Sequence, residues 1–169
     1  MILIVNVCRD KLSEMEFVRP LAMLIEDHVI VHYSKVKLAD RTAAEKIIIA
    51  GTALKDFDYL DGKFSWLKKT RRPVLGICAG AQVIAKEFGL KLEDFALIGP
   101  QKVEVVKENR LAEGVFNAYF LNTKIVAGCE PLAMSNGKPC LFRIAEKEIY
   151  GCLFHPEVLN ESVILNFIQ

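Results

Sequence analysis

At 169 residues, with 52% hydrophobic and 25% charged side chains, the chain reads as one globular domain, large enough to bury well over half of the surface it exposes when unfolded. A formal net charge of +1 gives no overall pull toward nucleic acid or an anionic membrane, so any partner has to be recognised locally. The five cysteines, at 8, 78, 129, 140 and 152, are odd in number and include no C-x-x-C pair, which disfavours a disulfide framework and a zinc ribbon and suits a reducing cytoplasm.

In chain order, Met1-Ile2-Leu3-Ile4-Val5-Asn6-Val7 is apolar but too short to span a bilayer, and it has no basic flank or cleavage site; it reads as a first core strand. The first half alternates short apolar runs with segments of helical period. Strands are predicted near 2–7, 29–33, 46–50 and 73–77, and helices near 13–27, 61–70 and 80–89. Ser13 and Glu16 have the spacing of a capping box for the first helix, and Pro20 should kink that helix or limit its first turns. This alternation predicts an α/β fold with a flavodoxin-like, mostly parallel sheet covered by helices on both faces. From about 96 the pattern changes to closely spaced strands near 102–106, 118–127, 140–145 and 149–154, which read as antiparallel hairpins or a smaller second sheet. A last helix near 160–168 would be capped by Asn160.

The run from Pro73 to Gln82 carries the most chemistry. A strand leads into Cys78, held between Gly76 and Gly80, and then into a helix, which is the layout of a nucleophile elbow. Thiol chemistry needs thiolate, which a helix N-terminus and a neighbouring imidazole both favour. Near the other end, Phe154-His155-Pro156-Glu157 offers a base and a carboxylate two residues apart, with Pro156 restricting His155 to extended conformations. Cys78, His155 and Glu157 make a candidate triad in that chain order. Gln82, one helical turn beyond Cys78, shares its face and carries an amide that both donates and accepts; it either contacts a ligand or ties helix to loop. His28 and His32 have no cysteine context, and Cys8, Cys129, Cys140 and Cys152 read as packing. Lys68-Lys69-Thr70-Arg71-Arg72, the one dense basic run, reads first as a solvated helix end and second as a docking patch for an acidic partner. Neither glycine-rich phosphate-binding motif occurs.

The segments Gly76-Ile77-Cys78-Ala79-Gly80-Ala81-Gln82 and Phe154-His155-Pro156-Glu157, about seventy residues apart, resemble the two signatures of class I, triad-type glutamine amidotransferases. Gly99-Pro100-Gln101-Lys102-Val103-Glu104-Val105, Leu132-Ala133-Met134-Ser135-Asn136 and Ile149-Tyr150-Gly151 extend the likeness, which is strongest to the glutaminase subunit or domain of GMP synthetase. The resemblance implies hydrolysis of L-glutamine at Cys78, an oxyanion hole from the backbone of Ala79 and of Gly51, substrate contact by Gln82, and no metal or organic cofactor. It also implies an ATP-dependent synthetase partner that uses the ammonia. Two segments depart from the family. Ala50-Gly51-Thr52-Ala53 stands where two glycines and a proline are usual, which predicts a rebuilt loop or an oxyanion hole completed by a partner. Ala118 to Val126 lacks the usual S-H-G-D string. These departures keep open a non-catalytic regulatory or binding protein of the same fold, and the elbow alone also admits another cysteine hydrolase.

Overall fold

A computed structural model describes all residues from Met1 to Gln169. Its framework is a nine-stranded sheet in the order β2-β1-β3-β4-β9-β8-β7-β5-β6. The strands are β1 (Ile2–Asn6), β2 (His28–His32), β3 (Lys46–Ile49), β4 (Val74–Ile77), β5 (Lys91–Val105), β6 (Val115–Ala127), β7 (Pro131–Ser135), β8 (Lys138–Arg143) and β9 (Ile149–Cys152). The first five in the sheet order are parallel. β1 and β4 are buried along their whole length, as expected of strands covered on both faces. The mixed α/β architecture is the one predicted. The antiparallel strands continue the same ladder through the β8–β9 pair, so the two halves meet at β9 and do not form separate sheets.

The helical segments depart from the predicted boundaries for identifiable reasons. The first is α1 (Lys11–Ser13), a π turn over Glu14–Val18 and α2 (Arg19–Met23). Its N-cap is Asp10, whose carboxylate accepts from the Ser13 amide, so the capping box predicted at Ser13 does not form. Pro20 lies at the start of α2, and the wide turn just before it, with the Arg19 N–H on the Glu14 carbonyl, accommodates a residue that cannot donate. The helix predicted over 61–70 is absent; two 3₁₀ turns, Asp58–Asp61 and Ser65–Lys68, stand there, separated at Gly62. Helix α3 (Leu38–Ala43) was not predicted, because it buries no residue and so has no apolar stripe. Helix α4 (Ala79–Glu87) is as expected and is buried from Ala79 to Ala85. Helix α5 (Ser162–Ile168) starts without a side-chain cap, and Asn160, at φ 81°, turns its amide to the Asn117 carbonyl instead. No helix is long and apolar enough to cross a membrane.

β5 and β6 form a long ribbon, and only the end of β5, at Glu104 and Val105, pairs with β7. The rest of the ribbon reaches across the sheet. The His155 amide donates to the Tyr119 carbonyl at 2.8 Å, and Asn122 Nδ2 donates to the Leu153 carbonyl at 2.7 Å. These bonds tie β6 to the loop that follows β9.

Candidate active site

Because β3, β4 and β9 are neighbouring parallel strands, their carboxyl ends lie on one edge of the sheet, and the residues that follow them meet there. Gly51 follows β3, Cys78 follows β4 and His155 follows β9. The glycines beside Cys78 are required by close approach: a Cβ on Gly76 would lie 2.4 Å from the Gly80 carbonyl, and one on Gly80 would lie 2.2 Å from the Ile49 carbonyl oxygen. Helix α4 can therefore sit directly on β3 and β4 only with glycine at both positions. Cys78 itself, at φ 48° and ψ −100°, is a strained non-glycine residue at the N-cap of α4. Its Sγ lies 3.5 Å from the Leu121 carbonyl on β6.

His155 and Glu157 form a buried pair, with Nδ1 2.7 Å from Glu157 Oε1 and both side chains 1% exposed. That contact leaves Nε2 facing away from the carboxylate, buried and without a hydrogen bond. Burial works against the imidazolium, but the nearby Cys78 sulfur and the Glu157 carboxylate outweigh it and raise the His155 pKa from 6.5 to about 10. The Phe17 ring backs the imidazole, with centroids 5.5 Å apart. On another side stands Gly51, where a Cβ would come within 2.7 Å of His155 Cε1 and 3.5 Å of Cys78 Cβ. Gly51 does not have positive φ, so it is needed for space and not for a turn. Thr52 likewise has negative φ, and no backbone strain arises at the position where a second glycine was expected.

The loop after β3 is rebuilt around Asp56. This buried carboxylate accepts from Thr52 Oγ1 at 3.0 Å and from the Arg9 amide at 2.8 Å, and its other oxygen from the Asp58 amide at 3.3 Å. Tyr59, also buried, donates its hydroxyl to Gln82 Oε1 at 2.7 Å. Gln82 thus ties helix to loop in this structure, and its side chain also borders the cavity at Cys78. That cavity lies between residues 52–59 and 121–123 and measures about 10 Å³, close to the minimum for one water molecule.

The remaining candidates are accounted for locally. Cys8 packs behind the loop with its thiol on the Gly51 carbonyl at 3.5 Å, and burial raises its pKa to about 11. Burial also raises Cys129, Cys140 and Cys152, Cys140 to about 12. His28 bonds the Ile25 carbonyl, and His32 bonds Ser34 and the Cys8 carbonyl. Phe17, Tyr59 and Asn122 escaped the sequence reading because their partners lie far along the chain; Asp56 bonds locally to Thr52 and the Asp58 amide, and only its position in a D-x-D loop hints at that turn-forming role.

The profile of the family described as glutamine amidotransferase class-I matches residues 27–163, which takes in Cys78, His155 and Glu157. The chain belongs to this family. Among curated relatives, it is 30% identical over 149 residues to a subunit of the glutamine-hydrolyzing GMP synthase of Methanothrix thermoacetophila, covering 78% of this chain and 82% of that one. It is 40% identical over 115 residues to the same-named subunit from Methanococcus maripaludis, covering 57% of this chain and 59% of the relative. The glutamine-hydrolyzing GMP synthase of Aquifex aeolicus is 34% identical over 110 residues, but only 22% of its length is matched. Among solved structures, a protein from Thermoplasma acidophilum described as a GMP synthase subunit superposes with a TM-score of 0.84 at 22% identity, covering 99% of this chain and 91% of that one. PurLQS from Thermotoga maritima gives 0.76 at 15% identity, covering 99% and 97%. At these identities the superpositions speak to the fold of this amidotransferase and not to its substrate.

Proposed function

We propose that this class I amidotransferase hydrolyses L-glutamine with Cys78 as nucleophile, His155 as general base and acid, and Glu157 as the group that orients and charges the imidazole. The observation that carries this reading is the strained Cys78 beside a buried His155 whose Nδ1 is held by Glu157 at 2.7 Å, with Nε2 left unpaired. The thiolate attacks the side-chain amide carbon, and the amide N–H of Ala79, with that of Gly51, steadies the oxyanion; one such donor is worth roughly 3 kcal/mol in the transition state. The C–N bond then breaks, and ammonia leaves with a proton from His155 Nε2. Water, deprotonated by the same nitrogen, hydrolyses the γ-glutamyl thioester to glutamate and frees the thiol.

The space at Cys78, about 10 Å³, is too small for glutamine, so part of its wall, residues 52–59 or 121–123, must shift for substrate to enter. This favours a site gated by a partner, which would also keep ammonia from being lost to solvent. The relatives are named as subunits of a glutamine-hydrolyzing GMP synthase, which supports a GMP-forming synthetase subunit, proposed to depend on ATP, as that partner. The same small space and the Tyr59–Gln82 bond favour, as a second reading, a chain that binds its partner without turnover. Strain at Cys78 argues for catalysis, since its cost of order 1–3 kcal/mol gains nothing in a purely structural role. A γ-electrophilic glutamine analogue, followed by mass mapping, separates the two. The analogue should alkylate Cys78 alone, and glutamine should protect it. Labelling of other cysteines, or labelling that glutamine leaves unchanged, would refute the proposed chemistry.

A further inference from the structure

A cleft of about 660 Å³ lies between α3 and residues 65–72, at the end of β4 opposite Cys78. Four cationic side chains line it, from Arg41, Lys69, Arg71 and Arg72, and no Asp or Glu does. The chain's ion pairs leave all four out. Such a grouping is unexpected in a chain whose net charge is only +1. By contrast, a second cleft of about 480 Å³ balances its cations with Glu108, Glu130, Glu146 and Glu148.

Two of the four are held in place. The Arg72 guanidinium donates to the Thr42 carbonyl at 2.8 Å, at the C-terminal end of α3. Arg41 donates through Nε to the Lys37 carbonyl at 3.3 Å, and its guanidinium lies 5.2 Å from the centre of the Trp66 ring. Each bond uses one N–H and leaves the other guanidinium donors for a ligand, already oriented. The hydroxyls of Ser65 and Thr70 also border the space and can donate to oxyanions, whereas that of Thr42 already donates to the Leu38 carbonyl at 3.0 Å.

We infer that this cleft is a binding site for a polyphosphate group, free or carried by a nucleotide. Four unpaired cations match a ligand with three or four negative charges better than a single carboxylate. Planar guanidinium forks suit phosphate oxygens. The volume falls within the range of about 300–1,000 Å³ typical of small-ligand pockets, whereas a protein docking surface needs no such hollow. The inference does not depend on the chemistry assigned to Cys78.

Trp66 is the one tryptophan of the chain and borders the cleft, so its fluorescence reports occupancy directly. Tripolyphosphate and ATP titrated into the full-length chain should each give a saturable change, weakened by added salt, while inorganic phosphate binds much more weakly. Comparing ATP with tripolyphosphate tells whether the nucleoside adds affinity. The double variant Lys69→Gln/Arg71→Gln, at exposed positions, should weaken binding about tenfold or more, and Cys78→Ala should titrate like the unaltered chain. Absence of a saturable change, or equal affinity in the double variant, overturns the inference. Polyglutamate binding as tightly as tripolyphosphate would overturn it in favour of an acidic protein partner.

Discussion

The His155 ring is charged by its neighbours against the cost of burial, and that balance has a pH signature. Its folded pKa, about 10, lies above the ordinary value of 6.5, so the stability it contributes is fully present below about 6.5 and is lost as pH rises toward 10. Cys78 supplies the largest of the contributions that raise it. In Cys78→Ala the His155 pKa should fall, so the alkaline loss of stability should be smaller and complete at lower pH. NMR titration of the imidazole reads this, and an unchanged pKa would mean that the thiol and the ring do not interact as the structure implies. Gly51 makes a second residue-scale test. A methyl group there meets His155 Cε1 at 2.7 Å, and the ring is hemmed in by Phe17 and Glu157. Gly51→Ala should therefore cost about 1–3 kcal/mol in stability and at least about tenfold in glutamine hydrolysis by displacing the ring. A variant with parental melting and activity would contradict the packing described.

At the scale of elements, residues 52–59 form one wall of the space at Cys78, and Asp56 is the fastening point of that segment. Asp56→Ala leaves the Arg9 amide and the Thr52 hydroxyl without their acceptor, at a cost of about 1–3 kcal/mol. The freed segment should let iodoacetamide reach Cys78 several-fold faster, measured by mass mapping at pH 8. Equal rates in the variant and the parent would show that another element closes the cavity. The tie to Arg9 was not legible in the sequence, since Arg9 meets Asp56 only when β1 and β3 pair, whereas the Thr52–Asp56 bond spans just four residues. The elbow was legible because strand, glycines, cysteine and helix are contiguous. The parallel strands were legible as apolar runs for a similar reason: β1 and β4 are buried throughout. The first part of β5 was missed because residues 91–96 are all partly or fully exposed and give no apolar run, and Gly99-Pro100 breaks the pattern beyond them. Where a helix was expected at 61–70, Phe64 and Leu67 are buried, Leu67 from a 3₁₀ turn over Ser65–Lys68.

Across the whole molecule, the catalytic edge depends on the joint between the parallel and antiparallel halves. Gly151 on β9 pairs with Phe142 on β8, and a Cβ there would lie 2.1 Å from the Phe142 ring. Gly151→Ala should force that ring off its place and destabilise the fold by about 1–3 kcal/mol, read from the midpoint of denaturant unfolding. No shift would mean that the joint is more pliable than its packing suggests. The same β9 carries His155 and Glu157 to the edge beside Cys78, while β6 crosses over to supply the Leu121 carbonyl and the wall of the cavity. The family match and this convergence lead to one claim, that Cys78 turns over glutamine when the space beside it opens. The most direct test is glutamate release from glutamine by the purified chain, with and without a purine-nucleotide-aminating synthetase, beside Cys78→Ala. The account predicts slow release by the chain alone, strong stimulation by the synthetase, and none in the variant. Absence of release under both conditions, or release that persists in Cys78→Ala, would contradict it.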